Sequence, residues 1–160
     1  MYLLDANVFI EAKNQYYRPN SFPRFWQWLD LAQTKGQLAS IQMIQEELLK
    51  GGDELSDWAR ERENAGWFLQ IDDNKTQLAY TTIADWVMGQ PFRDEAKAYF
   101  LNGADVWLIA KALTMKAAVA TLEVLVPQGS TKPKIPNVCR QFDIPYLNTF
   151  DLIQRLGVQF

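Results

Sequence analysis

Histidine does not occur among the 160 residues, and cysteine occurs once, as Cys139. Without imidazole there is no Ser-His-Asp or Cys-His pair, no HExxH metallopeptidase site and no histidine-ligated zinc or haem. A lone thiol cannot close an internal disulfide, and no CxxC pair is present to build a zinc knuckle. No stretch approaches the run of about 18 apolar residues that spans a membrane. The opening MYLLDANVFIEA has an acid at position 5 and no basic leader, so neither export nor a membrane partner is expected and the cytoplasm is the expected location. Acid, base or metal chemistry must fall mainly to carboxylates.

What is present suits one domain spanning residues 1–160. Hydrophobic residues make up 48% of the chain, and 19 Asp+Glu against 16 Lys+Arg give a formal net charge of -3. A chain of this length buries roughly two-thirds of its unfolded surface without staples. Glycine and proline mark turns, as at Gly36, Gly51-Gly52, Gly103 and Pro127 to Gly129, and are nowhere dense enough to make a linker.

Tyr2-Leu3-Leu4 is a short buried-strand run that ends at Asp5. Ser21 is placed to cap a helix with Phe22, Phe25, Trp26 and Leu29 on one face. Trp26 and Trp28 are not expected to share a core from that helix, which suggests a homodimer surface for one of them. Gln37 to Ser40 predicts a very short strand, and Ile41, Ile44 and Leu48 a helix stopped by Gly51-Gly52. Leu55, Trp58 and Ala59 mark another helix, Trp67 to Ile71 a strand, and Tyr80, Ile83, Ala84 and Val87 a further helix. Phe92 to Leu101 predicts a helix with Ala96, Tyr99 and Phe100 against the core. Gly103-Ala104-Asp105 opens a helix through Leu113, and Ala117 to Thr121 forms a buried strand. A short helix to Phe142, a strand over 144–147 and a last helix capped by Thr149 complete the chain. Strands alternating with helices predict an α/β fold with a mainly parallel sheet, whose ligands gather beyond the strand C-termini.

Asp5 and Glu123 are the first acids beyond two apolar strands, so a parallel sheet brings both to one rim. Asp105 at a helix start and Glu46 or Glu47 on a crossover helix can turn toward it. Three or four carboxylates are costly to ionise together without a cation, whereas Mg²⁺ or Mn²⁺ neutralises them and activates water. Each acid also has a plainer role. Asp5 suits a turn, Asp105 a helix first turn, Glu46 and Glu47 a solvated face, and Glu123 a loop.

The LLDANVFIEA, SIQMIQEELLKGGDELSDWA, GADVWLIAKAL and AVATLE blocks, in this order, resemble PIN-domain nucleases, in particular the group described as DUF4411. The resemblance runs through KPKIPNVCRQFDIPYLNTFDLI and so covers the whole chain. It implies a PIN-like three-layer sandwich with a central mainly parallel sheet, and Mg²⁺ or Mn²⁺ held in an acidic pocket. It implies RNA as substrate, cut by metal-assisted phosphodiester hydrolysis. Asp5 matches the first family carboxylate and Asn7 the small polar residue beside it. Glu47 matches the helix acid best, with Glu46 one residue away, and Asp105 matches the acid opening the next helix. Thr121 and Glu123 match the polar residue and acid after the fourth strand, where many PIN proteins carry Asp. Within the family, a toxin would have a protein antitoxin as partner. The rival readings are a DNA or RNA-processing nuclease outside a toxin system, and a catalytically weak binding module.

Lys134, held between Pro133 and Pro136, is the basic residue best placed for a substrate or structural contact. Tyr16, Tyr17 and Arg18 suit either base stacking or packing, and Cys139 reads as a small core residue. With the four site acids set aside, 15 acids face 16 bases, so the acidity is local to the pocket.

Overall fold

The computed structural model describes residues 1–160. Five strands, β1 (Tyr2–Leu4), β2 (Leu38–Ile41), β3 (Phe68–Leu69), β4 (Ala118–Ala120) and β5 (Tyr146–Leu147), form one sheet in the order β3-β2-β1-β4-β5. Every pairing is parallel. Nine α-helices flank it: α1 (Ala6–Glu11), α2 (Pro23–Thr34), α3 (Gln42–Leu49), α4 (Glu54–Glu61), α5 (Asn74–Met88), α6 (Asp94–Asn102), α7 (Ala104–Met115), α8 (Ile135–Gln141) and α9 (Thr149–Arg155). A π-helical turn, Ala12–Tyr16, extends α1. No helix is long and apolar enough to cross a membrane.

The strands are short apolar runs because both faces are covered, as crossover helices require of a parallel sheet. Leu3, Leu4, Leu38, Ile41, Val119 and Ala120 are all buried. The chain leaves β1 toward β2 and β3, then returns to lay β4 on the opposite side of β1. The strand order therefore switches between β1 and β4, which opens a crevice at their C-terminal ends.

Several local expectations differ from the structure. Pro23, preset for a first helical turn, starts α2, and Phe22 rather than Ser21 is the N-cap. Ile41 ends β2 instead of joining the helix face. Trp26 and Trp28 are both buried, because α2 is covered on two sides: Trp26 packs on Trp58, and Trp28 on the C-terminal Phe160. That removes the argument for a homodimer from this pair. Phe9, Trp58 and Trp67 extend the aromatic cluster, with ring centroids 5.3–5.9 Å apart; such pairs each contribute about 0.5–1.5 kcal/mol beyond area burial. Tyr99 is 84% exposed while its neighbour Phe100 is buried, so α6 presents a narrower face to α7 than its pattern suggests. Asn148, whose side chain accepts from Asp151 N–H at 2.9 Å, caps α9 in place of Thr149.

Gly52, at φ +63°, turns the chain from α3 into α4. Asp53 then caps α4 in a reciprocal box with Ser56 and pairs with Lys13 of the π-helical turn. The Lys13 hydrogen bond holds the Asp53 carboxyl down to about 2.

A candidate acidic site at the switch point

Asp5 ends β1 and is the N-cap of α1, yet its side chain makes no capping hydrogen bond. Its backbone N–H donates to Ala120 O at 2.9 Å, while Thr121 Oγ1, at the exit of β4, donates to Asp5 Oδ2 at 2.8 Å. Asp5 as a whole is 3% exposed. Burial pushes its pKa up to about 8, with the charges of Asp105 and then Glu123 acting the same way and the Thr121 hydrogen bond acting against them.

Two further bonds order the β4 exit, the first by tying it to the start of α1. Asn7 Oδ1 accepts from Leu122 N–H at 3.0 Å, and Thr121 Oγ1 accepts from Glu123 N–H at 3.1 Å. Glu123 in turn reaches α8, where its Oε2 accepts from Ile135 N–H at 2.8 Å. A carboxylate there completes one of the open donors of a helix N-terminus. One Glu123 oxygen is thus engaged in holding α8, and the other has no hydrogen-bond partner in the protein.

Asp105 lies in the first turn of α7, whose N-cap is Gly103. Its pKa is pushed up to about 6, by burial first, then by Glu123 and Glu47, with Lys134 pulling it down. Glu46 and Glu47 are both exposed on α3, but only Glu47 acts electrostatically on Asp105. Lys134, the N-cap of α8, lines a cavity of about 510 Å³ together with Asp105 and Glu123.

Asp105 therefore stands within electrostatic reach of Asp5, Glu47 and Glu123, and Asp5 within reach of Glu123 as well. No three of the chain's acids or cysteines already converge in ion-binding geometry. The donor set is all oxygen and contains two carboxyls that ionise reluctantly, which is the environment a hard divalent cation relieves.

Arg93, Glu95 and Tyr99 also line this cavity, although sequence patterning did not single out the first two and turned Tyr99 inward. The polar run Arg93-Asp94-Glu95 at the start of α6 is the only local signal that this segment borders a solvent-filled space. Tyr16, Tyr17 and Arg18 lie elsewhere. Tyr16 packs on Phe150, Tyr17 stacks on Phe25 at 4.2 Å, and Arg18 donates to Asn14 O at 3.1 Å. Cys139 is buried, and burial raises its thiol pKa to about 12, as for an inert core residue.

Over residues 2–160 the chain matches the family described as Domain of unknown function (DUF4411). Among solved structures it is similar to a chain of VapBC2 from Rickettsia felis, in the crystal structure of that protein bound to a DNA fragment from their promoter. The TM-score is 0.52 at 15% identity, over 92% of this chain and 97% of that one. The shared feature is the fold, an α/β sandwich of PIN-like form. No curated protein matches the sequence.

Proposed function

The chain belongs to the DUF4411 family, and from its PIN-like fold and the acids at the switch point we propose that it is a divalent-metal-dependent endoribonuclease, the toxin of a toxin–antitoxin pair. The observation that carries this reading is the pairing of Asp5 with Asp105, two largely buried carboxyls raised to about 8 and about 6 beside further acids. Structural carboxylates are normally paired with cations or backbone donors, which lowers their pKa, as Lys13 does for Asp53. A raised carboxyl lining a cleft, as Asp105 does with the buried Asp5 behind it, points instead to a function.

Asp5, Glu47, Asp105 and Glu123 would hold Mg²⁺ or Mn²⁺, which when bound neutralises their charge and activates water for attack on a phosphodiester. Thr121 fixes the orientation of Asp5 through its hydroxyl, and Asn7 holds the β4 exit loop against the start of α1. Glu123 offers its free oxygen to the site while its other oxygen stays on α8. Lys134 supplies the one positive charge acting on Asp105, in a position to meet a substrate phosphate. The likeness to a chain of VapBC2 supports the toxin–antitoxin part of the reading, with a protein antitoxin as partner.

The test is cleavage of labelled single-stranded RNA by the purified chain in Mg²⁺, in Mn²⁺ and in EDTA. Cleavage that needs the ion and disappears in Asp5→Asn and Asp105→Asn is expected. Equal cleavage by those variants overturns the site. A second reading, a catalytically weak binding module, draws on the lack of a ready-made ion geometry; RNA bound but left intact with either ion would favour it.

A further inference from the structure

The 510 Å³ cavity that holds Asp105 and Glu123 adjoins a larger one of about 1040 Å³ between the α5–α6 connection, the 125–132 loop and α8. Lys132 lines both, and Arg93 N–H donates to Thr131 O at 3.0 Å where they meet. Four cations border these two adjoining cavities, which together form a cleft: Arg93 and Lys134 on the acidic side, Lys132 lining both, and Arg140 in the larger one. None of the four forms an ion pair, whereas Lys13, Arg60, Arg62 and Lys111 all do. The larger cavity contains no acid. Tyr99 stands 84% exposed at the mouth of the smaller cavity, and Trp86 lines the wall of the larger.

Unpaired cations spaced along a groove suit a polyanionic backbone, and an exposed ring beside them suits an unstacked base. We propose that this cleft is the track of a single-stranded nucleic acid, with Lys132 and Arg140 holding phosphates away from the acidic pocket and Tyr99 stacking a base at its mouth. The track rests on the nuclease reading only for its direction into the acids; its binding does not require cleavage. A duplex cannot offer Tyr99 a free base face, so the preference is for single strands.

Fluorescence anisotropy of a labelled oligouridine in EDTA, as a function of salt, tests the track. Lys132→Ala and Arg140→Ala are expected to weaken binding and to lower the log–log salt slope by about 0.7 each, the value for one phosphate contact on a single strand. Tyr99→Ala is expected to weaken binding roughly five- to tenfold with the salt slope unchanged. Lys35→Ala, on an exposed cation outside the cleft, should change neither. All four positions are exposed, and thermal melts check that the variants remain folded. Unchanged affinity and slope in the three cleft variants overturns the track, and leaves the nuclease reading in place if the wild type still cleaves RNA with Mg²⁺. Weakened binding in the variants of a chain that cleaves nothing supports the track and removes the nuclease. A matched duplex that binds as tightly as the single strand overturns the assignment of Tyr99.

Discussion

Thr121 Oγ1 donates to Asp5 Oδ2 at 2.8 Å and accepts from Glu123 N–H at 3.1 Å, so one hydroxyl just past β4 links the buried acid just past β1 to the backbone of Glu123. It is the only side-chain hydrogen bond acting to lower the Asp5 pKa. Thr121→Val keeps the shape and deletes this bond, leaving the Asp5 carboxylate less favoured and less fixed in direction. Partners that orient a ligand in this way are typically worth about 10- to 100-fold in metal affinity. Titration calorimetry with Mn²⁺ is expected to show a loss in that range. Wild-type affinity in the variant would mean that Thr121 only packs.

The pH dependence of stability has a definite sign. An ordinary aspartate titrates at 3.8, but in the folded chain Asp5 titrates at about 8 and Asp105 at about 6. Between these limits the folded state holds protons that the unfolded state has released, so the associated stability is full below pH about 4 and is lost as pH rises to about 8. Asp53, lowered to about 2 by Lys13, acts in the opposite sense, but its contribution is lost only as pH falls below the ordinary value. In EDTA the melting temperature is expected to fall from about pH 5 to about pH 8, and Asp5→Asn to flatten most of that slope. Mn²⁺ should restore more stability at the upper end. A melting temperature that climbs across this window in EDTA would contradict the raised carboxyls.

Glu123 has two separable roles, since its Oε2 accepts from Ile135 N–H while its charge acts on Asp5 and Asp105. Glu123→Gln retains an acceptor and should leave thermal stability within a few tenths of a kcal/mol while weakening Mn²⁺ binding. Glu123→Ala removes both and should lose about 1 kcal/mol as well, the usual cost of an N-terminal helix acceptor. Glu123→Asp keeps the charge but shortens the reach to α8, so it should behave like Ala in denaturant melts and like wild type in charge-dependent titrations. If all three variants melt alike, the bond to Ile135 has no energetic role.

The sheet was legible because β1 and β4 are apolar runs buried between the helical layers and followed abruptly by Asp5 or Thr121 at the rim. Parallel pairing then brings Asp5 and Thr121 together without any local signal being needed. What could not be read are contacts made by one end of the chain on another. Phe160 packs on Trp28, so Trp28 is buried for a reason that no pattern within α2 carries. Tyr99 and Phe100 are equivalent in the apolar pattern of α6, and only the line along which α7 crosses decides that Phe100 goes in and Tyr99 out. The approach of Lys134 to Asp105 likewise depends on the path of the 124–134 loop, not on either residue's neighbours.

Glu46 and Glu47 are the sharpest case, because adjacent residues on a helix point about 100° apart and only one can address the crevice. Both are exposed, so neither substitution should disturb the core. The charge of Glu47 raises Asp105 and that of Glu46 does not. Glu47→Gln is therefore expected to lower the Asp105 pKa in the ion-free protein, which a carboxyl-detected NMR titration would register. It should also reduce Mn²⁺ affinity and RNA cleavage by at least roughly tenfold, the lower range for losing even a supporting partner. Glu46→Gln should alter none of these. Asp105 must move first: a cleavage defect in Glu47→Gln with Asp105 unshifted would place Glu47 on the substrate side of the pocket, and a defect in Glu46→Gln alone would shift the register of α3 by one residue and reassign the ligand.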